Sequence, residues 1–125
     1  MFSFFKKKKE TKKESIEEVI NEDDKRKILK EIEYLENNTS DKNELYYEKV
    51  GLLYNQVQEY DKAIEKLEKS FEIKPSVGEG YKKLMSLYNK KRAEAARNGD
   101  DIGIETYMNK LDELRQIARK YTIGK

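Results

Sequence analysis

The chain has 125 residues, of which 42% are charged and 36% apolar, and its formal net charge is only +2. It contains neither Cys nor His, which removes disulfides, thiol redox chemistry, thiolate and imidazole metal ligands and the usual proton shuttle near neutral pH. One Pro and six Gly leave too little punctuation for an all-β chain. The apolar residues fall at helical spacing, which predicts solvated helices with one apolar stripe each, an all-α protein with no cofactor. No apolar run reaches the roughly 18 residues needed to span a bilayer. The first apolar residues precede the lysines with no apolar middle section after them, which is not the layout of a secretory signal, so a cytoplasmic location is expected.

Residues 1–14 form a tail of unusual composition, and residues 15–125 read as the helical domain. In the tail Phe2, Phe4 and Phe5 are followed at once by Lys6, Lys7, Lys8 and Lys9, then Lys12 and Lys13. Aromatic side chains beside a polybasic run suit the boundary of an anionic membrane surface, with about 1 kcal/mol per Lys near the surface. The expectation is reversible, peripheral attachment at the inner face of the membrane. The plainer alternative is a solvated, solubilising tail.

A short stripe (Ile16, Val19, Ile20) opens with Ser15 and Glu18 at capping-box spacing. From Asp24 to Glu36, Ile28, Leu29, Ile32 and Leu35 share one face and predict a helix that covers the front edge of the next helix pair. Asn37, Asn38, Thr39 and Ser40 form a turn cluster, with Ser40 expected to cap the next helix.

Tyr47, Val50, Gly51 and Tyr54 then recur at three- and four-residue intervals on one helix face. Gln58 to Asp61 are read as a turn, with Asp61 as the cap of a second helix. That helix carries Ala63, Leu67 and Ser70 and is ended by Pro75. Gly51 is expected to face Ala63 and let the two backbones approach closely. The eight positions together resemble one tetratricopeptide repeat, whose pattern places residues of these types at this spacing.

Tyr81, Leu84, Met85 and Tyr88 lie 34 residues beyond Tyr47, Val50, Gly51 and Tyr54, the period of that family. The second copy departs from the pattern at Met85 and at Arg97, which stands where Ala63 would repeat. Its first helix is predicted to run on through Ala93, Ala95 and Ala96 to a stop at Asn98-Gly99, with Asp100 or Asp101 capping the last helix. Ile104, Met108 and Leu111 echo Ala63, Leu67 and Ser70 at an offset of 41, so the copy is longer by 41 − 34, or seven residues. The last helix is expected to carry Tyr107, Met108, Leu111, Leu114, Ala118 and Tyr121 inward.

The resemblance implies an α-α superhelix of antiparallel hairpins with flanking cap helices, in which the first helix of each hairpin lines a concave groove. Carried over position by position, that groove would hold Leu45, Glu48, Leu52, Asn55 and Gln56 from the first copy, and Glu79, Lys82, Ser86, Asn89, Lys90 and Arg97 from the second. Members of the family that clamp a C-terminal carboxylate use Lys and Asn at set groove positions. Here Glu48 and Leu52 stand at the equivalent places, so that activity is not implied.

Residues 79–98 contain six Lys or Arg against two Glu, a local charge of +4. The expected partner is a peptide or helix of another protein that has acidic residues beside an apolar anchor, and the expected role is an adaptor or scaffold without catalysis. A structural homodimer, its groove filled by a second copy, is the alternative, because two repeats leave apolar ends to cover. RNA binding is a weaker third reading. The basic stretches Lys90 to Arg97 and Arg115 to Lys120 suit it, but the Tyr sit at core-like spacing. Pairs such as Glu65 and Lys69 read as helix-surface neighbours, and no phosphate loop or metal constellation accompanies them.

Overall fold

A computed structural model of the chain describes residues 20–123, with side chains to residue 121. The aromatic and basic tail and residues 15–19 lie outside the described residues; Ile20, the last member of the Ile16, Val19, Ile20 stripe, is half-buried and precedes α1 outside any helix. Within them the chain is all-helical, with five helices and no strand.

The first helix, α1 (Glu22–Asn38), starts where the Asn21 side chain accepts hydrogen bonds from the amides of Asp23 and Asp24 at 2.7 and 3.3 Å. Glu22, Asp23 and Asp24 in its first turn complement the positive end of the helix dipole. The helix is therefore longer at both ends than the predicted Asp24 to Glu36.

Helix α2 (Glu44–Gln56) is capped by Asn43, which accepts from the Tyr46 amide at 3.0 Å. Ser40, the predicted cap, lies outside the helix and takes no part. The turn after α2 passes through Gln58 at a φ of 64°, and α3 (Tyr60–Ile73) follows without a side-chain cap. Asp61 falls within its first turn and does not cap it. Its carboxylate instead meets the Lys91 ammonium at 2.6 Å. The helix ends as predicted before Pro75, with Lys74 extended at φ −156° and ψ 103°, the region that a following Pro ring allows.

Helix α4 (Glu79–Arg97) stops in a Schellman arrangement: the Asp100 amide donates to the Ala95 carbonyl at 2.8 Å and the Gly99 amide to the Ala96 carbonyl at 3.2 Å. Gly99 sits at a φ of 66°, where a side chain would be strained. Asp100, rather than Asp101, then caps α5 (Asp101–Ile123) by accepting from the Gly103 amide at 3.0 Å.

The helices pack mainly as two hairpins, α2 with α3 and α4 with α5; α1 lies on α2, α3 on α4, and α2 touches α4. One core joins α1 to α2 through Ile32, Tyr46, Val50 and Leu53. The other joins α3, α4 and α5 through Ala63, Ile64, Leu67, Tyr81, Leu84, Leu87, Tyr88, Leu111 and Leu114. Val50, Leu67 and Leu84 are the largest fully buried side chains, each worth about 1.5–3 kcal/mol in apolar burial.

Close approach within the first hairpin comes from Gly51, and what a side chain there would meet first is Leu67. A Cβ at Gly51 would stand 2.8 Å from Leu67 Cγ and 3.2 Å from the Leu67 backbone nitrogen. On α5 the inward set is smaller than predicted. Leu111 and Leu114 are buried, whereas Met108 is 52% and Tyr121 40% exposed.

The two Tyr separated by 34 residues make the same joint twice. Tyr54 on α2 donates to Glu36 of α1 at 3.3 Å, and Tyr88 on α4 donates to Glu68 of α3 at 2.5 Å. Glu68 also accepts from Lys110 at 3.1 Å. Burial and the facing carboxylates push both phenols above their ordinary range, Tyr88 the further.

So α1 meets α2 as α3 meets α4. Aligning Glu36 with Glu68 puts the exposed Glu31 and Asn38 where the buried Ala63 and Ser70 stand. The exposed surface of α1 is mixed, since Tyr34 is 65% and Leu29 39% exposed. That of α5 carries Glu105, Asn109, Asp112, Arg115 and Arg119, with Ile102 79% exposed among them.

Candidate protein-binding groove

Helices α2 and α4 are the first helices of the two hairpins, and they touch. The contact is fixed by one hydrogen bond: a Glu48 carboxylate oxygen accepts from the Gly80 amide at 2.8 Å. Gly80 is the second residue of α4, and neither Gly78 at the N-cap nor any other side chain caps that helix from its own end. Glu48 therefore supplies from α2 the acceptor that the first turn of α4 lacks. The approach is close: a Cβ at Gly80 would stand 2.8 Å from the Glu48 oxygen, so the Glu48 side chain would have to shift.

This changes the reading of Glu48. It was expected as an open groove residue, but it is half-buried and its carboxylate holds the two hairpins together.

The α2 side of the groove is a depression of about 280 Å³ lined by Leu45, Glu48, Lys49, Leu52, Leu53 and Gln56. Leu45 is 64% exposed beside it. Four of the five residues expected from the first copy thus come together, and Asn55 stands outside the depression. Lys49 was missed, although Leu45, Lys49, Leu52 and Gln56 follow one helical stripe and the spacing alone places it there. Its ammonium lies 3.7 Å from Glu31 of α1.

The α4 side is more dispersed. Glu79, Lys82, Ser86 and Arg97 are exposed, Arg97 as the last residue of the helix. Lys90 is half-buried with its ammonium 4.8 Å from the centre of the Tyr60 ring, a cation–π contact that holds it against α3. The neighbouring Lys91 also reaches α3. Its hydrogen bond to Asp61 raises its pKa, against partial burial, which lowers it. Asn89 turns to the other side, into a hollow of about 190 Å³ with Arg92, Met108, Leu111, Asp112 and Arg115.

Lys82 and Arg97 are therefore the cations left open to a ligand among the expected groove residues, flanked by Ser86. Among the described residues no group of three or more carboxylates is placed to hold a metal ion, and no helix is long and apolar enough to cross a membrane. Compared with protein families, with curated proteins and with solved structures, the chain matches none.

Proposed function

We propose that the protein is a tetratricopeptide-like adaptor that takes up an acidic, apolar segment of another protein along the α2–α4 face. The observation that carries this reading is the Glu48–Gly80 bond between α2 and α4, with a depression containing Leu45 and Leu52 on the first helix and the exposed Lys82 near the start of the second. An apolar anchor would supply most of the affinity, and the opposite charges would steer encounter and fix orientation. The repeated Tyr–Glu joint and the order of helix contacts support the repeat-type stacking on which the groove depends.

The test uses a fluorescein-labelled peptide with Glu on both sides of a Leu-Phe pair, and a control peptide with Lys in place of Glu. The acidic peptide should bind more tightly. Its affinity should fall with added salt, in Lys82→Glu/Arg97→Glu, and in Leu52→Asp. Equal affinity for the two peptides, or binding unmoved by all three changes, overturns the reading.

Exposed Leu45 favours one rival, a homodimer that buries this face against a second copy. Light scattering across a dilution series separates them, since the adaptor reading requires a monomer with the face open. Tail attachment to the inner membrane surface is a separate part of the proposal. It requires that removal of residues 1–13 abolish sedimentation with anionic vesicles.

A further inference from the structure

On the opposite side of the molecule, α3 and α5 both pack on α4 but make no backbone approach to each other. The cleft between them has a volume of about 250 Å³. Leu84 and Tyr88 of α4 form its floor, Phe71 stands on the α3 wall, and Leu114 and Ile117 stand on the α5 wall. That volume is below the roughly 300–1,000 Å³ of pockets for drug-sized ligands, and it suits one or two side chains of a polypeptide.

The charges of the cleft are unequally used. Glu68 is engaged by Tyr88 at 2.5 Å and by Lys110 at 3.1 Å. Glu72 on α3 and Glu113 on α5 are exposed on the rim, and neither is bonded to a cation among the described residues. The cleft therefore offers an apolar floor with two open carboxylates, one on each wall. Its complement is an aromatic anchor with adjacent lysines.

The chain contains such a segment. Phe2, Phe4 and Phe5, three of its four Phe, are followed by four consecutive Lys. Fifteen peptide steps separate Phe5 from Ile20, which reach about 50 Å when extended. Four interhelical steps of about 10 Å separate α1 from α5, a distance of the same order as that reach.

We propose that the α3–α5 cleft is the docking site of the chain's own N-terminal segment, with a Phe on the Leu84–Tyr88 floor and the lysines against Glu72 and Glu113. This surface is distinct from the α2–α4 groove and stands or falls independently of it. The same phenylalanines serve the proposed membrane attachment, so docking and lipid binding exclude each other. Anionic lipid would release the segment from the cleft.

The absence of Cys allows a single nitroxide to be placed on full-length Ser3→Cys, with amide signals read by NMR. The expected result is signal loss at Phe71, Glu72, Glu113 and Ile117, reversed by reduction of the nitroxide. The loss should also be relieved by Glu72→Lys/Glu113→Lys, by high salt and by anionic vesicles. Exposed Glu72 and Glu113 can be changed without disturbing the core, so an unfolded variant does not obscure the result.

Signal loss absent, spread evenly, or centred on Leu45 and Ser86 overturns the proposal. So does signal loss in a mixture of isotope-labelled unmodified chain with unlabelled spin-labelled chain, which would place the segment on a second copy. Loss insensitive to Glu72→Lys/Glu113→Lys overturns the charge pairing that defines the site.

Discussion

The Glu48 carboxylate accepts a hydrogen bond from the Gly80 amide across 32 residues of sequence, and through it one hairpin caps the first helix of the next. An N-terminal cap contributes about 0.5–2 kcal/mol. Glu48→Ala should therefore lower stability by about 1 kcal/mol, read as a fall in Tm of about 4–8 °C for a domain of this class. Gly80→Ala alone should cost stability because its Cβ displaces the Glu48 oxygen. In the Glu48→Ala background the same change should stabilise by up to about 1 kcal/mol, the helix-propensity gain of Ala over Gly. A double-mutant cycle by denaturant unfolding checks this reversal of sign.

Gly51 and Leu67 make a second test with the opposite logic. A Cβ at Gly51 would meet both the Leu67 side chain and its backbone nitrogen at 3.2 Å or less, so side-chain rotation alone cannot relieve the clash. Gly51→Ala should destabilise by about 1–3 kcal/mol through overpacking, less the propensity gain. Gly51→Ala/Leu67→Ala should be less unstable than the sum of the single changes. Additive losses in urea unfolding would place the close approach elsewhere.

Tyr88 sets an alkaline limit. Its folded pKa is raised by burial, then by its bond to Glu68 and the charge of Glu68, above the ordinary value of 10.0. The contribution of the neutral phenol is therefore fully present below about pH 10 and is lost as pH rises through the folded value. Tyr54, Tyr46 and Lys91, also raised, act in the same direction. Melting temperatures should hold near neutrality and fall above about pH 10. Tyr88→Phe should cost about 1–2 kcal/mol at neutral pH, for the hydrogen bond to a charged acceptor, and flatten the alkaline fall.

The cap of α2 can be assigned by comparing two changes. Asn43→Ala should cost about 1 kcal/mol and Ser40→Ala next to nothing, because the Asn43 side chain is the one bonded to the Tyr46 amide. Thermal melts of the two variants check the assignment. The reverse order would mean that the helix begins earlier.

The stripes of Tyr47, Val50, Tyr54 and of Tyr81, Leu84, Tyr88 made the helices and their period legible, because side-chain burial repeats with the helical turn. The carboxylates that meet Tyr54 and Tyr88 were not legible. Glu36 and Glu68 are 32 residues apart while the Tyr are 34 apart, and that register is set by how one helix slides on another. The start of α2 was ambiguous for a local reason: Asn38, Thr39, Ser40, Asp41 and Asn43 are all competent caps, and docking of Tyr46 and Val50 selects among them. Leu45, Leu52 and Gln56, grouped by the family resemblance, do line one depression. The role of Glu48 was not legible, since its partner is a backbone amide and a backbone amide leaves no mark in a sequence.

The two outer helices are not sealed by charge alone. Tyr34 and Leu29 stand open to solvent on α1, and Ile102 and Met108 on α5, so each end of the stack carries apolar surface beside its charged side chains.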